Sequence, residues 1–132
     1  MAYVVGKRVV ASRISDDVIQ EFRTSLSGQL ILPGHLSYNE VRKVWNAMID
    51  KRPALILRCI GAADVIKSIS FARANNLLVS VRAGGHNVGG KGVCDDGIMI
   101  DLSLMKGIGV DPSRKVAHAQ PGLRLGEFDR ET

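Results

Sequence analysis

The strongest rhythm along the chain lies between residues 54 and 102. Ala54 to Ile60 is nearly unbroken apolar sequence, as expected of a strand buried on both faces. Gly61 turns the chain, and Val65, Ile66, Ile69 and Ala72 then recur at helical spacing from about Ala62 to Ala74. Asn75 and Asn76 suit the left-handed end of that helix. Leu77 to Val81 is a second apolar, β-branched run. Strand, helix and strand make a βαβ unit, so Ala54–Ile60 and Leu77–Val81 are expected as adjacent parallel strands joined by a right-handed crossover. Ile98, Met99, Ile100 and Leu102 mark a further buried strand, giving a small parallel layer over residues 54 to 102.

The flanks read less regularly. Residues 1 to 14 are basic and Val-rich without clear period. Ser15 precedes Asp16 and Asp17 as an N-cap with acids in the first turn. Val18, Ile19, Phe22 and Leu26 follow at helical spacing, and Gly28 ends the helix. Leu30 to Leu32 is a short extended piece closed by Pro33-Gly34. Ser37 and Glu40 match a capping box, and Val41, Val44, Trp45, Met48 and Ile49 fall on one helical stripe. This predicts an amphipathic helix stopped by Pro53, with Trp45 in the core. Residues 107 to 120 read as a β-hairpin around Asp111-Pro112-Ser113-Arg114. Leu125 to Thr132 reads as two turns of helix.

Composition narrows the function classes. Of 132 residues, 45% are hydrophobic and 23% charged, which suits one globular unit or a piece of one. The net charge of +5 is spread out, without a basic stripe interleaved with aromatics, so nucleic acid is not expected as a partner. It suits a diphosphate ligand. Cys59 and Cys94 have no CxxC spacing, and His35, His86 and His118 have no zinc-ligand spacing, so no metal is expected. No run approaches a membrane span, and the first residues do not match a signal peptide. A soluble, cytoplasmic protein is the expectation. His118, on the hairpin, is expected to be structural, His35 to sit in a turn, and Cys59 to behave as a small hydrophobe.

Candidate chemistry sits in the loop Arg82-Ala83-Gly84-Gly85-His86-Asn87-Val88-Gly89-Gly90-Lys91-Gly92. Glycines let a backbone approach a ligand closely, and successive N–H groups form an anion-binding nest. The loop follows a predicted parallel strand, where nucleotide ligands bind in open α/β sheets. It leads to another strand rather than a helix and lacks a Gly-Lys-Ser/Thr ending, so neither a Rossmann fingerprint nor a P-loop fits. Taken singly, Arg82 also reads as a solvated arginine and His86 as a turn residue.

The order of several pieces is more specific than the loop alone. They are Val44-Trp45-Asn46, Arg52-Pro53-Ala54, Arg82 to Asn87, Val93-Cys94-Asp95, Ile100-Asp101-Leu102-Ser103 and Gln120-Pro121-Gly122. With these, the chain from about Gly28 to Thr132 resembles the FAD-linked oxidases with a p-cresol-methylhydroxylase-type FAD-binding domain, in the berberine-bridge-enzyme-like branch. The resemblance implies an α+β fold with an α/β-like layer, the N-terminal subdomain carrying the βαβ unit and the following hairpin. It implies residues 1–27 as an N-terminal segment with a helix and 28–132 as an incomplete FAD-binding domain. It implies an FAD-dependent oxidoreductase that moves hydride from a C–H next to O or N of a small molecule to covalently bound flavin, with dioxygen or another acceptor taking the electrons.

By the same resemblance, Arg82, Ala83, Gly84, Gly85, His86, Asn87, Val88 and Gly89 bind the cofactor, and His86 is bonded to the flavin 8α-methyl carbon. Catalytic residues are expected beyond this sequence, and these residues alone are expected to be inactive. Some relatives add a second flavin bond from a cysteine later in the chain. Cys94 is therefore read as a packing residue, and single or double attachment stays open. The alternative reading of the same loop is a non-catalytic phosphate- or nucleotide-binding module.

Overall fold

The computed structural model describes residues 14–132. The Val-rich reading of residues 1 to 14 thus falls outside the described residues except for Ile14. The elements, in chain order, are α1 (Asp16–Ser25), β1 (Gln29–Ile31), α2 (Tyr38–Val41), β2 (Leu55–Arg58), α3 (Ala62–Ala74), β3 (Val79–Arg82), β4 (Ile98–Asp101), β5 (Ile108–Asp111), β6 (Val116–Ala119) and α4 (Leu125–Glu131). No helix among the described residues is long and apolar enough to cross a membrane.

A four-stranded sheet carries the fold in the order β1-β2-β4-β3. β2, β4 and β3 are mutually parallel, and β1 adds an antiparallel edge. The expected βαβ unit is present, but β2 and β3 are not neighbours. β4 inserts between them. The burial pattern gives the reason. Every residue of β4 is buried, whereas Val79 and Val81 of β3 are exposed around a buried Ser80. An unbroken apolar run needs cover on both faces and both edges, so it takes the centre, and the alternating run takes the edge.

The two faces of the sheet bury separate side-chain sets, as the strand period of two requires. Leu55, Leu57, Ile98 and Ile100 face α1 and α3 together with Phe22, Leu30, Ala72 and Leu77. The rings of Phe22 and Phe71 stack at 3.9 Å and tie the two helices. Ile56 and Met99 face the other way, against Ile31, Tyr38, Val41 and Val93. Between α1 and the sheet, the buried carboxylate of Asp64 accepts the N–H groups of Ser27 at 2.9 Å and Ile60 at 3.1 Å. Gly28 fits there because a Cβ would stand 2.1 Å from the Arg58 carbonyl oxygen.

The long amphipathic helix expected after Ser37 is not formed. α2 has only four residues. The Ser37 hydroxyl does not cap it but bonds His35 Nδ1 at 2.8 Å, which keeps His35 in its turn. Beyond Val41 the chain docks on the glycine loop instead. The Trp45 N–H donates to the Gly85 carbonyl at 2.9 Å, and Asn46 Nδ2 donates to the Val88 carbonyl at 2.8 Å. Asn46 Oδ1 also accepts the Met48 N–H, closing a side-chain turn in place of a helical one. These long-range bonds outweigh helix propensity. In consequence Trp45, expected in the core, is 69% exposed, and Met48 is exposed beside it.

The hairpin is observed as a separate two-stranded sheet, β5 against β6. Asp111 Oδ1 gathers the N–H groups of Ser113 and Arg114 in its turn. His118 is exposed there, with no part in the core. α4 forms where expected, its start held by the Glu127 carboxylate on the Arg124 N–H at 2.8 Å.

Candidate functional site

Parallel strands that end in register bring their last residues into one row. Arg58 ends β2, Asp101 ends β4 and Arg82 ends β3, and the register pairs Arg58 with Asp101 and Arg82 with Asp101. The Asp101 carboxylate is fully buried between the two guanidinium groups. Arg58 Nε lies 3.2 Å from Oδ2 and one terminal nitrogen of Arg82 lies 3.4 Å from Oδ1. Oδ1 also accepts the Ser103 N–H at 3.1 Å. A cleft of about 740 Å³ opens beyond this row, at the carboxyl ends of the strands. Arg58, Arg82, Lys106 and Arg124 line it. Lys106 is paired with Glu127 at 2.6 Å.

The glycine loop forms one wall. Ala83, Gly84 and His86 face the cleft with Arg82. Gly85 and Asn87 face an adjoining depression of about 330 Å³ that shares Arg82, Ala83, Gly84 and His86 with the cleft. Val88 and Gly89 line neither. Val88 is exposed and its carbonyl is taken by Asn46. Arg82 is the last strand residue, and residues 83 to 89 have neither helix nor strand. Among the described residues no acceptor takes a backbone N–H of residues 83 to 89. The loop is nevertheless held from behind, by Trp45 on the Gly85 carbonyl and Lys51 on the Gly90 carbonyl at 3.0 Å.

Two glycines have specific work. Gly85 has φ +73°, and a Cβ there would stand 3.2 Å from Arg82 Nε. Only glycine takes this conformation without strain while the arginine packs behind it. Arg82 Nε is buried and has no hydrogen-bond partner among the described residues. At Gly84 a Cβ would come within 3.0 Å of His86 Cδ2, so the missing side chain makes room for the imidazole. The imidazole is exposed at the cleft, its centroid 6.0 Å from the Trp45 ring with 25° between the planes.

The cysteines stand apart from this chemistry. Both are free and buried. Burial pushes the Cys59 thiol up to about 11 and also raises that of Cys94. Cys94 Sγ accepts the Ser80 hydroxyl at 3.3 Å inside the fold, consistent with packing rather than nucleophilic work. Neither Arg58 nor Asp101 is among the cofactor residues that the sequence implies, although Asp101 lies in the segment Ile100 to Ser103 that carries the resemblance. The available signal was a single charged residue interrupting each of two otherwise apolar strand runs.

An anion with several oxygens fits this place. The loop with its untaken N–H groups, the unsatisfied Arg82 guanidinium nitrogen and the cationic side chains of Arg58, Lys106 and Arg124 all lie at the carboxyl end of the sheet.

Residues 53–132 match the family model described as FAD binding domain. The chain is 37% identical to (R)-6-hydroxynicotine oxidase of Paenarthrobacter nicotinovorans over 107 residues, covering 81% of this chain and 23% of that protein. It is 35% identical to an FAD-linked oxidoreductase of Dictyostelium discoideum, covering 87% of this chain and 25% of the relative. The crystal structure of 6-hydroxy-D-nicotine oxidase from Arthrobacter nicotinovorans superposes with a TM-score of 0.77 over 81% of this chain and 24% of that one. The Physcomitrella patens berberine-bridge-enzyme-like 1 protein, 22% identical with a TM-score of 0.74 over 83% of this chain and 24% of that one, shares the fold. The chain therefore spans about a quarter of the length of the curated relatives it matches. The α+β fold is that of p-cresol-methylhydroxylase-type FAD-binding domains. On the match over residues 53–132, the chain belongs to the FAD binding domain family of FAD-linked oxidoreductases, whose cofactor is FAD.

Proposed function

We propose that the chain forms the cofactor-holding front of an FAD-dependent oxidoreductase acting on a small molecule. The observation that carries this reading is the glycine loop with uncommitted N–H groups, Arg82 and His86 at the carboxyl ends of parallel strands. Bound FAD supplies a two-electron acceptor for hydride from a C–H next to O or N, and dioxygen or another acceptor then takes the electrons. Relatives named for an amine, 6-hydroxynicotine, and for a sugar, chitooligosaccharide, support that substrate class.

Within this reading Arg82 offsets the diphosphate charge, the N–H groups of Ala83, Gly84, Gly85, His86 and Asn87 donate to its oxygens, and Val88 and Gly89 complete the cofactor loop from outside the cleft. His86 is the residue bonded to the flavin 8α carbon. A neutral imidazole nitrogen has the lone pair that such a bond needs. The absent side chain at Gly84 leaves room for its ring, and the Trp45 ring lies 6.0 Å from it. The division into residues 1–27 and an FAD-binding domain from residue 28 belongs to the same proposal. So does the assignment of catalytic groups to the part of the relatives' length that this chain does not span. A cytoplasmic location accords with two free, buried thiols.

Proteolysis of the full-length protein tests the attachment. The expected product is a yellow peptide containing His86, and that peptide is lost in His86→Ala. A flavin peptide mapping elsewhere sinks the assignment of His86. Reversible binding of a colourless nucleotide, with no flavin, supports a phosphate-binding module instead.

A further inference from the structure

Three parallel strands end in an Arg-Asp-Arg row whose middle member has no contact with solvent. An ionised carboxylate in such a place is costly unless it is paired and hydrogen-bonded, and Asp101 is both. The pairing is incomplete on the arginine side. Asp101 engages Arg58 through Nε and Arg82 through one terminal nitrogen. The other guanidinium donors are left over, and Arg82 Nε is among them, buried and unsatisfied. Both side chains are largely buried, at 27% and 19% exposure, yet both line the cleft. Long cationic side chains that served only solubility would extend into water. These two are bent onto one carboxylate and held side by side.

We infer that Arg58 and Arg82 form a paired clamp for the diphosphate, with Asp101 as the positioning residue that sets their spacing. This rests on the reading of the cleft as the FAD site. Arg58 adds a second cation to the one supplied by the loop. The charge balance makes the idea sharp. Asp101 cancels part of the positive field that attracts an anion. If it acted only through charge, its neutralisation would tighten anion binding. If it acts by geometry, Asp101→Asn frees the two arginines to swing apart, and binding weakens although the net charge rises.

The test uses the full-length protein with His86→Ala, so that flavin remains exchangeable. FAD and riboflavin, which lacks the diphosphate, are titrated by flavin fluorescence. Arg58→Gln and Asp101→Asn are each expected to weaken FAD by roughly ten-fold or more, the size of a lost charge-assisted contact, with riboflavin unchanged. Arg58→Gln leaves Asp101 paired with Arg82 and Ser103, so it keeps the test decisive if Asp101→Asn fails to fold. Tighter FAD binding in Asp101→Asn, or unchanged binding in Arg58→Gln, overturns the clamp. Arg82→Gln separates the two levels. If it weakens FAD while the other variants do not, only the clamp fails. If it too has no effect, the cleft does not hold the diphosphate and the functional reading fails with it.

Discussion

At the scale of single residues, exposure and backbone conformation set what a substitution does. His86 is exposed on its loop, so His86→Ala removes little packing. Its melting temperature should stay close to that of the parent while covalent flavin disappears. Gly85 is the opposite case. Valine there meets a positive φ and the Arg82 side chain at once, an expected cost of roughly 1–3 kcal/mol. Gly85→Val should lower flavin content along with a modest loss of stability, and a normal visible absorbance per protein would rule out the loop as the diphosphate wall. The cysteines give a pH test. A thiol raised to about 11 is almost wholly protonated at pH 8, so Cys59 should react slowly with a disulfide reagent and faster as pH rises towards 11. Reaction at the rate of an unfolded control at pH 8 would show that the burial is wrong. Asp64 holds two backbone N–H groups from separate elements. Asp64→Ala should cost about 3 kcal/mol, near 10 °C in melting temperature, because both donors lose their partner.

At the scale of elements, what the sequence made legible depended on where each segment's partners lie. β2, α3 and β4 were legible because their patterns reflect burial by their immediate layer. The order of the strands was half legible. Ser80 between Val79 and Val81 marks an edge pattern, but Leu77-Leu78 before it gave the run the look of a buried strand. The segment after Val41 was misread because its partners, Gly85 and Val88, lie forty residues away and leave no local period. Only such pairing explains why an apolar stripe with Trp45 and Met48 ends exposed. Within the site, the loop and His86 were legible from composition and family resemblance. Arg58 and Asp101 were not, since register alone brings them together. The same reasoning sets local stability. β4 is flanked on both edges and buried throughout, whereas β5 and β6 pair only with each other and are largely exposed. Amide hydrogen exchange should therefore be slowest in β4 and faster by orders of magnitude in the hairpin. Equal protection in the two would mean that the hairpin belongs to the main cooperative unit.

At the scale of the whole molecule, the cleft has only a thin far wall. Its floor is the strand-end row and one side is the glycine loop, while the far side is Leu123, Arg124 and Leu125 at the start of α4. α4 buries none of its residues, and Leu125 is 75% exposed. So exposed a far side shields a bound anion poorly from water, and contacts to a diphosphate alone are screened by salt. The relatives that carry the same segment have about four times the length to close around the cofactor. Apolar surface points the same way. Ile66 and Ile69 on α3 and Val79 and Val81 on the edge strand β3 are each exposed. The 132 residues expressed alone should thus hold FAD weakly, with binding that falls further as salt is raised, and should self-associate at high concentration. Equilibrium dialysis at two salt concentrations with sedimentation of the same sample checks both parts. Stoichiometric FAD retained on a monomeric chain through gel filtration would show that this segment closes the site by itself.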